Sequence, residues 1–377
     1  MAFPLALLKS TSDLMNGKSL AILLPNLTGG GVEHMKLLLA RVFQQEGYEV
    51  TLILMEARGD LLDVVESEFN IVDLKSPRIR NGYKPLRAWL KHNRPDSLLA
   101  CIWPVTALAI LASRGLGVKV TVSDHNPLSI QYRDWGIKTK FLLRHSIKWV
   151  YPMAYRRIGV STGVARDVEH LGGLSENSVG VIYNPVREMP PSSKTELQNA
   201  ENLWRPNKGK RLISVGSFKR QKNHTLMIKA VAELSKTQNV QLLLLGDGDL
   251  RPELEQLVKN CGVEDRIILP GFVADPLPYY RTADLFVLSS NYEGFGNVII
   301  EALACGLPVV STDCPSGPNE ILQAGEYGHL VPINDLTAMV SALEKGLEDQ
   351  VVSAKQIARS EDFTSEKIAR EYMEILF

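Results

Sequence analysis

The chain has 377 residues, 45% of them apolar, and carries 42 acidic and 42 basic side chains, so its formal net charge is zero. That length supports two domains of ordinary size, and the charge balance gives no global reason to bind nucleic acid. Cys101, Cys261, Cys305 and Cys314 are widely spaced, which argues against a disulfide framework or a close-spaced zinc site and for a reducing compartment, and no apolar run reaches the roughly eighteen residues of a membrane span.

Residues 1–17 are apolar at first, then broken by Lys9 and followed by polar residues; they suit a short helix or loose leader better than a secretion signal. Residues 19–25 read as a buried strand, 32–45 as a helix and 50–55 as a second strand, with Gly29, Gly30 and Gly31 in the turn between strand and helix. A tight turn is the simplest use of these glycines; close approach of backbone to a ligand is the functional one. Without a GxGxxG pattern, a dinucleotide site is disfavoured. Strands follow at 69–74, 97–101 and 118–123, with helices at 83–93 and 105–114. The last of these strands leads into Asp124, His125, Asn126 and Pro127, a histidine loop well placed for a cleft.

Residues 131–160 interleave seven basic side chains, Lys138, Lys140, Arg144 and Lys148 among them, with Trp135, Phe141, Leu142, Trp149 and other large apolar residues; the one acid is Asp134. This is the pattern of an amphipathic segment that lies on an anionic membrane, or of a solvated helix packing its apolar side inward. A strand at 156–160, a helix opening at 161–168 and a strand at 179–183 complete a first domain, 1–186. Residues 187–209 are polar, contain three prolines and read as a linker with one short helix.

A second strand–helix series fills 210–358. Strand 211–215 opens onto the loop GSFKRQKN, with Lys219, Arg220 and Lys222 just ahead of the helix 225–234, a sensible place for a polyanion. Strand 240–245 is followed by Asp247, Gly248 and Asp249, helix 250–260, strand 266–269 and the turn 271–273 that contains Val273. Strand 285–289 then gives way to a loop with Glu293, Gly294, Phe295 and Gly296, and Asn297 begins a helix over 297–305 that carries Glu301 in an apolar setting. A carboxylate there requires a partner, and a ribose with paired hydroxyls would serve. Strand 309–312, a helix after Pro318 with Glu320 near its start, a short strand at 330–331 and helices at 336–348 and 366–376 close the chain.

Glu293 and Glu301, seven residues apart, with GFG after the first and ACGLPVV after the second, resemble the donor-site signature of retaining nucleotide-sugar glycosyltransferases with two Rossmann-like domains. That group includes glycogen and sucrose synthases, phosphatidylinositol mannosyltransferases and bacterial polysaccharide glycosyltransferases. The resemblance implies an α/β fold of two Rossmann-like domains facing across a deep cleft, with a C-terminal helix, 359–377, crossing back to the first domain. It implies that His125 contacts the donor sugar, that Lys222 meets the diphosphate, and that Gly248 and Val273 lie under the nucleotide. The glycine loop 29–31 would face the cleft. One position departs from the pattern: Ser217 stands where the family has an arginine, leaving Arg220 or Lys219 to supply the missing charge.

The expected reaction moves a hexose or N-acetylhexosamine from a UDP-sugar to an acceptor hydroxyl with retention. Lys222, Arg220 and the amides near Gly296 would stabilise the departing diphosphate, Glu301 would hold the ribose, and Glu293, His125 and the amides of residues 294–297 would fix the sugar. Asp247 and Asp249 could suit magnesium or manganese, but the resemblance implies no metal and no cofactor. The expected acceptor is a lipid-linked glycan in bacterial surface polysaccharide or glycoprotein-glycan synthesis, reached by peripheral attachment to the inner face of the plasma membrane. A GDP-sugar donor, a soluble acceptor, a sugar-nucleotide epimerase and a non-catalytic binding protein are the alternatives.

Overall fold

Short apolar strands separated by helix-length segments leave a chain few options: each strand must be buried on both faces, which parallel sheets wrapped by helices provide. In the computed structural model, which describes residues 17–206, 209–349 and 353–377, two such sheets form. The reading of residues 1–16 lies outside the described residues.

The first sheet contains β1 (Ser19–Leu24), β2 (Glu49–Leu54), β3 (Asn70–Asp73), β4 (Ser97–Cys101), β5 (Lys119–Asp124), β6 (Arg156–Gly159) and β7 (Gly180–Val181), in the order β3-β2-β1-β4-β5-β6-β7, every neighbouring pair parallel. The second contains β8 (Lys210–Val215), β9 (Val240–Leu245), β10 (Ile267–Gly271), β11 (Leu285–Leu288), β12 (Val309–Thr312) and β13 (His329–Val331), in the order β10-β9-β8-β11-β12-β13, again all parallel. Alternation along the strands divides each core in two. Ala21 and Leu23 of β1 join one hydrophobic cluster while Leu20, Ile22 and Leu24 join the other. Leu242 and Leu244 of β9 face away from Leu243 and Leu245 in the same way. The strand order reverses between β1 and β4 and between β8 and β11. The loops leaving those strands are therefore where an open parallel sheet presents a crevice.

Most helix ends differ from the sequence expectation by a residue or two, as fraying ends do, while the helix read at 83–93 begins four residues earlier, at Ile79. Three short helices, Leu62–Val65, Leu128–Gln131 and Ala354–Ser360, have too few residues for a recognisable period. In the stretch between the domains, the helix Lys194–Glu201 is opened by a capping box from Ser193 and Glu196. Trp204 just beyond it is buried in the second domain's core, its indole donating to Thr282 Oγ1 at 2.9 Å.

The last helix, Ser365–Leu376, packs on the first domain. Ile368, Ala369, Tyr372, Met373 and Leu376 recur at the helical period and enter the cluster that holds Leu20, Phe43 and Tyr48. Burial of the Ile368, Met373 and Leu376 side chains contributes about 1.5–3 kcal/mol each. Phe363, just before the helix, packs edge-on to both Tyr183 and Phe295, so the crossing segment touches both domains.

Candidate active site

The loops leaving β8 and β11 lie side by side because those strands are neighbours. They are laced together. Asn291 N donates to Gln221 O at 2.7 Å, Asn291 Nδ2 to Arg220 O at 2.9 Å, and Gln221 Nε2 to Tyr292 O at 3.0 Å. Within this frame Lys222 Nζ donates to Glu293 Oε1 at 2.6 Å, and Ser290 Oγ donates to the same oxygen at 2.6 Å. Glu293 is buried, and pairing with Lys222 offsets the cost of its charge. The structure thus joins the two predicted residues directly. Ser217, Lys219 and Arg220 are exposed at the rim of the loop.

Gly296, at φ +108°, lets the chain turn sharply into the helix Asn297–Ala304, whose first-turn amides receive no side-chain cap. Glu301, one turn along, does not lack a protein partner as the sequence suggested. Tyr280 OH donates to its Oε2 at 3.0 Å, and Arg187 Nε lies 3.8 Å from its Oε1. Its side chain is 13% exposed. Burial pushes the Glu301 carboxyl up, opposed by the Arg187 charge and the Tyr280 hydroxyl. Both partners come from segments distant in sequence, and for that reason the local pattern left the carboxylate looking isolated.

The first domain closes over this surface. Gly294 lies so close to the His125 carbonyl that a Cβ there would stand 1.8 Å from its oxygen. Ser161 Oγ donates to Gly294 O at 2.7 Å while also capping its own helix, Thr162–Gly172, at Val164 N. The Glu320 carboxylate accepts from Thr162 N at 2.8 Å and Gly163 N at 3.2 Å, reaching from the second domain to the N-terminus of a helix in the first. Asn184 Nδ2 donates to Asn297 Oδ1 at 3.1 Å, and Tyr183 stacks on Phe295 with ring centroids 5.0 Å apart. Phe295 and Asn297, read from sequence as donor-binding residues, are here engaged in contacts between the domains.

His125 is buried at the carboxyl end of β5, next to Asp124, whose Oδ1 accepts from Tyr151 OH at 3.1 Å. Burial, reinforced by the charge of Lys36, pushes the imidazole well below its ordinary value and keeps it neutral. Burial likewise raises the Asp124 carboxyl to about 7. Gly29, Gly30 and Gly31 lead from β1 into the helix Gly31–Gln45, and His34 on that helix is near enough to Glu301 to favour its charged form. Gly248 lies against the Phe218 backbone, and Val273 packs at the edge of the core beside Phe272, which is exposed. Among the described residues no cluster of His, Cys, Asp or Glu is arranged to hold a metal ion.

The basic segment forms the helix Ile137–Trp149. Leu143, Ser146 and Ile147 face inward, while Lys138, Lys140, Arg144 and Lys148 are exposed beside Ile137 (86% exposed), Phe141 (62%) and Trp149 (65%). One face thus packs on the domain, and the opposite face presents large apolar side chains among cations. Among the described residues no helix is long and apolar enough to cross a membrane.

Sequence reasoning did not single out Ser161, Glu320, Lys36 or Tyr372 as site residues. Lys36 had a local signal, a lone charge in the apolar run MKLLLA. For Ser161 and Glu320 the pairing is made only when the domains meet.

Residues 209–349 match the family model of glycosyl transferases group 1, and residues 29–188 match that of glycosyltransferase family 4. Over 95% of this chain and 99% of the other, the sequence is 28% identical to the N-acetylgalactosamine-N,N'-diacetylbacillosaminyl-diphospho-undecaprenol 4-alpha-N-acetylgalactosaminyltransferase of Campylobacter jejuni. It is also 28% identical to the lipopolysaccharide core biosynthesis glycosyltransferase LpsE of Rhizobium meliloti, covering 92% and 96% of the two chains. The crystal structure of Anabaena HepE in complex with UDP-glucose superposes with a TM-score of 0.81 at 20% identity, covering 95% of this chain and 99% of that one, a likeness of fold. Between them the two family models span most of the chain, one on each sheet, and Lys222 bonds Glu293 beside the loop that the His125 backbone abuts, with Glu301 on the helix that follows. The chain belongs to the nucleotide-sugar glycosyltransferases of the two-Rossmann-domain, group 1 and family 4 type.

Proposed function

We propose that the protein transfers a hexose or N-acetylhexosamine from a UDP-sugar, with retention, to a hydroxyl of a lipid-linked glycan during assembly of a bacterial surface polysaccharide or glycoprotein glycan. The observation that carries this reading is the convergence of Lys222, Glu293 and the uncapped start of the helix Asn297–Ala304 on the side of the second domain that His125 faces. Breaking the bond between the anomeric carbon and the diphosphate places growing negative charge on the leaving group. Lys222 and the first-turn amides are the donors suited to meet it. Glu301, braced by Tyr280 and Arg187, presents a fixed acceptor to the ribose hydroxyls. Glu293 is held by Lys222 and Ser290 in one orientation toward the sugar, and closure of the domains excludes water from the bond being broken. Arg220 or Lys219, both exposed at the loop's rim, would replace the arginine that Ser217 displaces.

The relatives support the choice of donor base and acceptor. One carries diphospho-undecaprenol in its name, and a structural neighbour binds UDP-glucose. The exposed face of the helix Ile137–Trp149 supports a lipid-borne acceptor. Phe141 and Trp149 would enter the interface while Lys138, Lys140, Arg144 and Lys148 meet anionic headgroups, giving reversible attachment at the cytoplasmic face.

Purified enzyme incubated with UDP-, GDP- and ADP-sugars, and with either undecaprenyl-diphosphate-linked or free oligosaccharide, tests both substrates through product mass. Transfer from a UDP-sugar to the lipid-linked acceptor is expected. Preference for a GDP-sugar overturns the donor, and full activity on a short free oligosaccharide without liposome binding overturns the lipid acceptor. Liposome sedimentation is expected to rise with anionic lipid and fall with salt.

A further inference from the structure

Lys36 is fully buried, and among the described residues no carboxylate lies within ion-pair distance of it. Its ammonium instead donates to Tyr372 OH at 2.7 Å and sits over the same ring, 4.4 Å from the centroid. The two residues are 336 positions apart, on the first helix of the first domain and the helix that ends the chain. A buried cation held only by a phenol is costly, and stability alone would favour an apolar pair of the same shape. The contacts beyond Tyr372 show what the pair does. Tyr372 OH is 3.3 Å from Ser123 Oγ, and Ser123 Oγ is 3.1 Å from His125 Nε2. All four side chains are buried.

An ammonium can only donate hydrogen bonds, which sets the direction of the first link and favours one direction for the rest, the one that leaves no hydroxyl proton unused. Tyr372 accepts from Lys36 and has one proton left, for which Ser123 Oγ is the available acceptor. Ser123 accepts that bond and turns its own proton toward His125. In that direction His125 Nε2 is the bare, accepting nitrogen, and the ring proton resides on Nδ1. Nδ1 is buried and has no hydrogen-bond partner among the described residues. The backbone of His125 meanwhile abuts Gly294 in the donor loop. A neutral imidazole with one nitrogen satisfied from behind keeps an N–H that no described residue meets, on a residue whose backbone touches the donor loop.

We infer that Tyr372, together with Lys36 and Ser123, is a positioning residue for His125: the buried chain from the C-terminal helix holds the imidazole in the Nδ1–H tautomer and orientation in which it addresses the donor sugar. The role of the sugar in this statement rests on the proposed function; the tautomer does not. The crossing helix thus has a chemical task in addition to joining the domains, since it carries the middle link of the chain that orients a side chain of the cleft.

The test uses the full chain labelled with 15N-histidine. It contains seven histidines, and His125 is assigned by its loss in His125→Asn. In the ligand-free protein the His125 signals are expected to report a protonated Nδ1 and a bare Nε2. Ser123→Ala, and separately the double variant Lys36→Met/Tyr372→Phe, which replaces both partners with apolar groups, are expected to shift the ring to a mixture of tautomers. In the same variants kcat/KM for the nucleotide sugar is expected to fall about tenfold, the loss of one well-placed hydrogen bond. Calorimetric affinity for UDP, which lacks the transferred sugar, is expected to stay at the wild-type value. A protonated Nε2 in the wild-type protein overturns the inference, as does an unchanged tautomer in Ser123→Ala. A parallel loss of UDP affinity also overturns it, because that would report a general structural role. Should the double variant not fold, Ser123→Ala decides alone. Absence of transfer from every nucleotide sugar would refute the proposed function while the tautomer measurement still decides the chain's role.

Discussion

Removal of the Glu320 carboxylate should open the cleft while leaving both domains folded. In the closed arrangement this side chain accepts from Thr162 N and Gly163 N, at 2.8 and 3.2 Å, at the positive end of an eleven-residue helix. Hydrogen bonds to a charged group are worth about 1.5–3 kcal/mol when buried. Glu320 is half-buried, so about 2 kcal/mol for the pair is a reasonable figure. The helix itself keeps its cap from Ser161, so its own stability is little affected. A difference of 2 kcal/mol shifts the closed-to-open ratio about thirtyfold. If catalysis requires closure, kcat/KM in Glu320→Ala should fall by up to that factor, and Glu320→Gln, whose amide oxygen still accepts, should fall less. Steady-state kinetics measure the loss, small-angle scattering of the free protein should show a larger radius of gyration, and thermal unfolding should shift little. Wild-type kinetics and an unchanged scattering profile in Glu320→Ala would refute the reasoning. So would a loss of activity that merely tracks a lower melting temperature.

Lys222→Ala should abolish most turnover and also destabilise the protein by about 3–5 kcal/mol, because it leaves Glu293 buried without its ion partner; Lys222→Met/Glu293→Gln, compared by denaturant titration, should recover much of that stability but none of the activity. Glu301→Ala should weaken nucleotide binding about tenfold in a calorimetric titration. Since the Glu301 carboxyl is raised by burial, affinity should begin to decline on acidification above the ordinary glutamate range, a dependence that Glu301→Gln removes. Asp124, raised to about 7, binds a proton in the folded chain that the unfolded chain has already lost. Its contribution to stability is therefore full below about pH 4 and is lost as pH rises to about 7, by roughly 4 kcal/mol at most. His125, whose folded value is pushed down, gives the opposite slope below about pH 6.5. The measurement is accordingly the difference between wild type and Asp124→Asn across that range, and a flat difference would contradict the assigned protonation. Neutralising Lys138, Lys140, Arg144 and Lys148 together should weaken liposome binding by about 1 kcal/mol per charge, with turnover on a soluble acceptor unchanged.

What the sequence determined by itself is local in character. Strands such as β4, β9 and β12 coincide with short apolar runs, because a strand buried on both faces requires that composition and little else. The loops carrying Lys222, Glu293 and Gly296 are likewise written in neighbouring residues, since a strand end, a glycine turn and a helix start occupy fewer than a dozen positions. His125 could be placed at a strand end on the same grounds. The partners of these residues were not legible. Lys222 meets Glu293 across 71 positions, Thr162 meets Glu320 across 158, and Lys36 meets Tyr372 across 336. Glu301 looked unpartnered because Tyr280 and Arg187 reach it only once the strands are ordered and the chain has turned from one domain to the other. Phe295 and Asn297 could be recognised as cleft residues, but their engagement by Tyr183 and Asn184 depends on how far the domains close. Periodicity records which face of an element avoids water. Which charged or polar group waits on the other side of that face is set by sheet order and domain closure, and these arise from the summed packing of both cores, which no single stretch of the chain contains.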